Sequence, residues 1–312
     1  MKTLTLLSAC LGALLAIGNA QASNTARPEL LVEVDWLASR LDDPNLVLLH
    51  VGDAEQYAEG HIPGARLVSL DDISNSEHSA NGLMREMPNA AELRDRLQSL
   101  GISDDSRIVV YYGQDWVSPS TRVVFTLQYA GLGQHSHLLN GGMSAWLRAG
   151  HALSQEPAAK TRGSLSPLNI QDLLVDADLV REHASSSGIA LVDARAAAFY
   201  DGVSIGGAHG QSHRSGHIKG ARSIPFTDIT DDQLMLRSLA ELNTLFHQAG
   251  VKPGDTVLGY CHIGQQATLM LFAAQLLGHQ VRLYDGSFED WSRGADNPVS
   301  TQAWTAPAGV LQ

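Results

Sequence analysis

The chain has 312 residues, of which 44% are hydrophobic and only 17% charged, a balance expected of a soluble globular protein with about two domains. A formal net charge of −12 would repel nucleic acid and anionic membrane surfaces, so neither is an expected partner. A small anion in a locally positive pocket stays compatible with that field.

Met1-Lys2-Thr3, the apolar run Leu4 to Ile17 and Asn19-Ala20-Gln21-Ala22 have the basic start, hydrophobic middle and A-x-A end of a signal peptide over 1–22. The mature chain is therefore expected in the periplasm or secreted. Leu7-Ser8-Ala9-Cys10 also resembles a lipoprotein box, but too few apolar residues precede Cys10 and the run continues past it. Cys10 and Cys261 are the two cysteines, so cleavage leaves Cys261 without an intramolecular disulfide partner. A lone thiol in an oxidising compartment is a liability that Ala or Val would avoid, which favours a reactive role.

After a polar leader, Val34 to Leu41 has helical spacing and Leu46 to Val51 reads as a buried strand. Gly60-His61-Ile62-Pro63-Gly64-Ala65 is a turn leading to a short strand at Arg66 to Leu70. Asn89 caps an amphipathic helix, Ala90 to Leu100, that Gly101 ends. Arg107 to Tyr112 is the next strand, and the loop Gly113 to Ser118 enters a helix through Pro119. A strand at His137 to Leu139, Asn140-Gly141-Gly142 and a short helix with Trp146 complete the unit.

Gln155 to Leu168, rich in Pro, Ala, Ser and Gly, reads as a linker, and the order then repeats. Asp176 to Ser185 is helical and Ala190 to Val192 a strand. Gly216-His217-Ile218-Lys219-Gly220-Ala221 answers Gly60 to Ala65, Leu239 to Ala249 answers Ala90 to Leu100, and Asp285-Gly286-Ser287 with Trp291 answers Asn140-Gly141-Gly142 with Trp146. The repeat predicts two similar α/β domains, 28–154 and 169–312, each a parallel β-sheet covered by helices on both faces. Gly113 follows Tyr112 where Cys261 follows Tyr260, so the second domain is expected to be the catalytic one.

Thr256 to Tyr260 is a buried strand and Ala267 to Leu277 a buried helix, which places Cys261 between a strand end and a helix start. Unpaired amides and the helix dipole there stabilise negative charge, and Gly264 lets the loop curl. The alternative is a small buried hydrophobe, as most free cysteines are. An insert, Gly206 to Gly216, brings His209, His213, Arg214 and His217 together. Their spacing suggests a metal site, but glycine breaks the helix that would align them, and no metal is expected. Arg214 either reaches an anionic donor or is a solvated charge, and Asp193 with Arg195 reads as an ion pair under the loop.

The paired Gly-His-Ile-x-Gly-Ala segments, Leu191-Val192-Asp193-Ala194-Arg195, the strand-Cys-loop-helix and the paired Trp endings together resemble a tandem-domain rhodanese, the thiosulfate and mercaptopyruvate sulfurtransferases. That resemblance implies an amide-lined loop, Cys261-His262-Ile263-Gly264-Gln265-Gln266, around a cysteine persulfide, and keeps Arg195 as a substrate contact. Thiosulfate-specific loops resemble Cys-Arg-Lys-Gly-Val-Thr and mercaptopyruvate loops Cys-Gly-Ser-Gly-Val-Thr; here only Cys and Gly are kept, and Phe199 replaces a basic donor-binding residue. The implied chemistry is attack of the Cys261 thiolate on a sulfane sulfur and its transfer to cyanide or a thiol, with no metal or organic cofactor. Amides from His262 to Ala267 would stabilise the persulfide, with His262, Gln265 and Gln266 adding side-chain donors.

The expected partners are a small anionic sulfur donor and a thiol or cyanide acceptor, and the expected state is a monomer. A cysteine phosphatase would need Arg at Ala267, which excludes that class. A 3-mercaptopyruvate donor and a non-catalytic persulfide carrier stay open as alternatives.

Overall fold

In the computed structural model, residues 30–79, 82–114, 116–159, 161–184, 186–208 and 211–305 are described. The signal peptide, Cys10 and His209 fall outside them.

Aliphatic runs with no polar face must be covered on both sides, which makes them interior strands of parallel sheets. The N-terminal half contains β1 (Leu31–Val32), α1 (Val34–Ala38), β2 (Leu46–Val51), α2 (Ala54–Glu59) and β3 (Arg66–Val68). It continues with α3 (Ala90–Ser99), β4 (Arg107–Tyr112), α4 (Ser118–Tyr129), β5 (Ser136–Leu139) and α5 (Gly142–Arg148). Asn89 caps α3 by accepting from the Glu92 amide at 3.0 Å.

The C-terminal half has β6 (Leu174–Val175), α6 (Ala177–His183), β7 (Ile189–Asp193) and α7 (Ala197–Tyr200). Next come the short strands β8 (Gly207–Ala208), β9 (Gln211–Ser212), β10 (His217–Ile218) and β11 (Arg222–Ser223). α8 (Leu239–Gln248), β12 (Thr256–Tyr260), α9 (Ala267–Leu276), β13 (Val281–Tyr284), α10 (Ser287–Trp291) and β14 (Val299–Ser300) follow.

Each half builds a parallel five-stranded sheet flanked by helices. Their strand orders, β1-β5-β4-β2-β3 and β6-β13-β12-β7-β11, are equivalent, with β4 and β12 central. Several helices are shorter than the spacing suggests: α1 stops at Ala38 and α6 at His183, where partly exposed last turns have little to bury against. The insert contains the hairpin β8–β9, whose pairing the sequence did not suggest.

The two sheets face each other through α4 and α9, both buried almost all round, so one core continues from domain to domain. The seam is symmetric. Thr121 and Thr268 hydroxyls meet at 2.9 Å, and Gln128 and Gln275 exchange amide hydrogen bonds at 3.2 and 3.1 Å, both pairs being 147 residues apart. The connection between halves is pinned to the N-terminal domain: Gly163 N–H donates to Gln98 O, Ser166 N–H to Asp104, and Leu165 is buried. Among the described residues no helix is long and apolar enough to cross a membrane.

Candidate active site

Strand register gives the correspondence between the halves residue by residue. His50 pairs with Tyr111 as Asp193 pairs with Tyr260, and the two tyrosine hydroxyls accept from Ile62 and Ile218 amides at 3.1 and 3.0 Å. Tyr111 therefore answers Tyr260, and the residue in the place of Cys261 is Tyr112. This corrects the expectation that Gly113 stands there: the sequence offers two adjacent tyrosines, and only the ladder shows which is equivalent.

Cys261 is fully buried at the end of β12. Its N–H donates to Ser287 Oγ at 3.2 Å, that hydroxyl donates to Tyr284 O at 2.9 Å, and its carbonyl accepts from Phe288 N–H at 3.0 Å. Ser287 is held at φ 53°, a left-handed conformation that non-glycine residues rarely adopt, where the other half uses Gly142. Glu289 N–H in turn donates to His262 O. The first turn of α10 thus grips the loop by its carbonyls.

Among the described residues, none of the backbone amides of His262, Ile263, Gly264, Gln265, Gln266 or Ala267 donates to a backbone carbonyl. Gly264 has φ +77°, which bends the loop, and α9 begins at Ala267. A buried thiol, a run of uncommitted N–H groups and a helix start are together suited to holding a negatively charged sulfur.

Arg195 lies under this loop. Its guanidinium grips Asp193 through Nε at 3.0 Å and Nη2 at 2.6 Å, donates to Gly216 O at 2.7 Å, and stacks 4.0 Å above the Phe288 ring. Burial opposes its charge, but Asp193 more than offsets this and holds it above the usual arginine range. With 1% exposure, Arg195 is the ion pair the residues suggested, acting on the site through its field rather than as an open donor contact.

The insert contributes its histidine, not its arginine. Arg214 donates to Gly294 O and Asn297 O at 3.0 and 2.6 Å, bracing the loop after α10, so the expected donor contact is replaced by a structural one. His217 is likewise spent, stacked 3.6 Å from Tyr200 and bonded to its carbonyl, as His61 is on Tyr57 in the other half. His213, by contrast, lies 6.2 Å from His262 and 6.1 Å from Phe288, ring centre to ring centre. Phe199 packs edge-on to His262 at 4.6 Å. Burial first, then Arg195, pushes both His213 and His262 down to about 4, with Arg293 adding to the effect on His213.

The N-terminal domain supplies the opposite wall, through an arginine that sequence reasoning missed. Arg122 of α4, fully buried, donates to Gly264 O at 3.0 Å, Asp285 Oδ1 at 2.7 Å and Arg85 O at 2.6 Å. Asp285 Oδ2 accepts from Met87 N–H, and Glu289 from Met84 N–H, so segment 84–87 is stitched across the loop. The available signal was a lone charge, Arg122, in the otherwise uncharged stretch Val117 to Leu127. Gln265 also crosses, donating to Ser118 Oγ at 3.4 Å, while Gln266 Oε1 is buried without a partner among the described residues. Ile263 supplies its backbone amide to the loop.

A family model described as "Rhodanese-like domain" matches residues 33–149 and again 176–294. The chain belongs to the rhodanese family of sulfurtransferases. This rhodanese is 32% identical over 277 residues to the thiosulfate sulfurtransferase of Pseudomonas aeruginosa, covering 86% of this chain and 96% of the relative. It is 31% identical over 289 residues to a probable 3-mercaptopyruvate sulfurtransferase of the same organism, covering 87% and 98%. The thiosulfate sulfurtransferase of Rattus norvegicus is 30% identical over 293 residues, covering 89% and 96%. The rhodanese fold also superposes on the wild-type structure of EanB with TM-score 0.77 at 22% identity, over 89% of this chain and 70% of that one, a likeness of fold alone.

Proposed function

We propose that this rhodanese moves the sulfane sulfur of thiosulfate to a thiol or cyanide through a persulfide on Cys261. The observation that carries the reading is the uncommitted amide run from His262 to Ala267 beside the buried thiol. The Cys261 thiolate attacks the outer sulfur of thiosulfate, whose S–S bond breaks with its electron pair leaving on sulfite. The acceptor then bonds to the terminal sulfur, and the Cys–S bond pair returns to Cys261 as thiolate. The amides meet the persulfide's charge without reorganising.

A 3-mercaptopyruvate donor is the second reading, supported by the similarity to the probable 3-mercaptopyruvate sulfurtransferase and by the absence of the two basic loop residues of thiosulfate-specific members. The residues 1–22 support export to the periplasm or beyond, and both walls of the site come from one chain, which supports a monomer as the working unit.

Mixing the mature chain with thiosulfate alone should add one sulfur to the peptide containing Cys261, read by intact and peptide mass. Cys261→Ser should add none, because a hydroxyl is too weakly acidic to form the adduct. Sulfur appearing on another peptide refutes the mechanism, and uptake only from mercaptopyruvate moves the assignment to the second reading. Persulfide formation without turnover to cyanide or thiols would favour a carrier.

A further inference from the structure

The insert distinguishes this site from its counterpart. Tyr57 and His61, which stack on each other in the N-terminal half, are 4 residues apart, whereas Tyr200 and His217 are 17 apart. Within the added length, His213 N–H donates to Gly206 O at 2.8 Å, closing the hairpin and turning the ring towards His262 and Phe288. Gly206 passes close to both rings: a Cβ there would stand 3.0 Å from His262 Nδ1 and 3.2 Å from His213 Nδ1. The insert backbone therefore rests on both imidazoles.

His213 is only 9% exposed, yet neither of its ring nitrogens has a hydrogen-bond partner among the described residues. Burying both polar atoms without partners costs free energy, and such groups persist where something else supplies the partner. Phe288, against which the ring packs, bonds the backbone of Cys261.

We propose that His213 is a substrate-contacting residue of this sulfurtransferase, which with His262 binds the anionic oxygens of the donor and takes up a proton in doing so. This rests on the persulfide-transfer reading and names how the donor is held where Arg214 does not supply a cation. The groups facing the pair are Arg195 and Arg293, with Asp193 acting on His262 in the opposite sense. In the free site burial and these cations keep both rings neutral. An arriving anion reverses the local field, so one ring gains a proton and a charge-assisted bond to the donor oxygen. Because the complex then holds more protons than its parts, donor binding strengthens as pH falls and levels off near 4. When sulfite leaves, the proton departs with it or to solvent, and neutral rings face the acceptor.

The test is the half-saturating thiosulfate concentration for Cys261 persulfide formation, without acceptor, at pH 8 and pH 5.5. Wild type should bind about tenfold tighter at the lower pH, the value of one added charge-assisted bond. His213→Phe should lose that gain while the limiting extent of persulfide at saturating donor stays unchanged. His213→Gln keeps a polar group of similar reach that cannot titrate; it should bind between the other two with a flat pH response, and it serves if the Phe variant does not fold. Wild-type affinity and slope in a folded His213 variant overturn the inference while leaving the Cys261 mechanism intact. Failure of wild type to acquire sulfur from thiosulfate or mercaptopyruvate overturns both.

Discussion

Tyr112, at the end of β4, stands where Cys261 follows β12, and the surroundings differ with it. In the N-terminal half the hydroxyl of Tyr112 reaches across to Leu234 O at 2.6 Å, so the position that could be a nucleophile is a domain-to-domain bond. Beside it, His50 takes the place of Asp193 and Gly52 that of Arg195, and a cavity of about 280 Å³ lined by His50, Gln56, Gly113, Gln114 and Met143 opens at that mouth. In the C-terminal half Arg195, His262, His213 and Phe288 gather at the corresponding mouth. A shared sheet order thus sets where a site can form, while reactivity depends on a few residues at one strand end and on whether the loop amides are already spent.

That comparison can be broken by moving the nucleophile. In a Cys261→Ser background, Tyr112→Cys should form persulfide at least about a hundredfold less well than wild type, since Gly113 N–H is committed to Val51 O and Ser120 N–H to Val117 O while their counterparts His262 and Ala267 donate to no backbone carbonyl among the described residues, and losing oxyanion-type donors costs that much. Peptide mass after thiosulfate treatment reads the outcome; efficient labelling of the N-terminal peptide would show that the cysteine alone makes the difference.

The buried charges differ between the halves in the same way. Asp193→Asn leaves Arg195 buried beside a neutral partner and should destabilise the protein by about 4 kcal/mol, whereas His50→Phe removes an imidazole bonded only through Nδ1, to the Tyr111 hydroxyl at 2.9 Å, and should cost less, about 1–2 kcal/mol. Urea melts compare the two directly, and equal losses would refute the asymmetry.

Arg122 joins the halves at the buried Gly264 and at Asp285, whose side chain is partly exposed, so Arg122→Met should cost somewhat less, about 3 kcal/mol, and also slow persulfide formation by loosening the loop. A stability loss with wild-type persulfide kinetics would show that the clamp serves only the fold.

A further contrast concerns pH. His50, His213 and His262 are each pushed down to about 4 from 6.5, chiefly by burial. Unfolded imidazoles take up protons near 6.5 and folded ones only near 4, so stability is full above pH 6.5 and is lost as pH falls towards 4. Tm should drop by about 10 °C between pH 7.5 and 4.5, and His50→Phe should recover part of that drop. A flat Tm over this range would show that the rings are not held neutral.

The amino-acid sequence by itself determined the two α/β repeats, the strand-Cys-loop-helix, and the Asp193–Arg195 pair. These are legible because buried parallel strands are aliphatic throughout, helix starts and stops carry Asn and Gly, and an ion pair two residues apart at a strand end is local. Tertiary structure alone decided which tyrosine matches Tyr260, that Arg122 reaches the loop from the other domain, and that His213 rather than Arg214 turns inward. Each of these depends on register or on side chains far apart in the chain, Arg122 and Gly264 being 142 residues apart. Residue spacing reports the period of an element and the order of turns. It does not report which way a long side chain leaves an insert, because that is set by the carbonyls of Gly294 and Asn297, which fold against Arg214 only once the domain has closed.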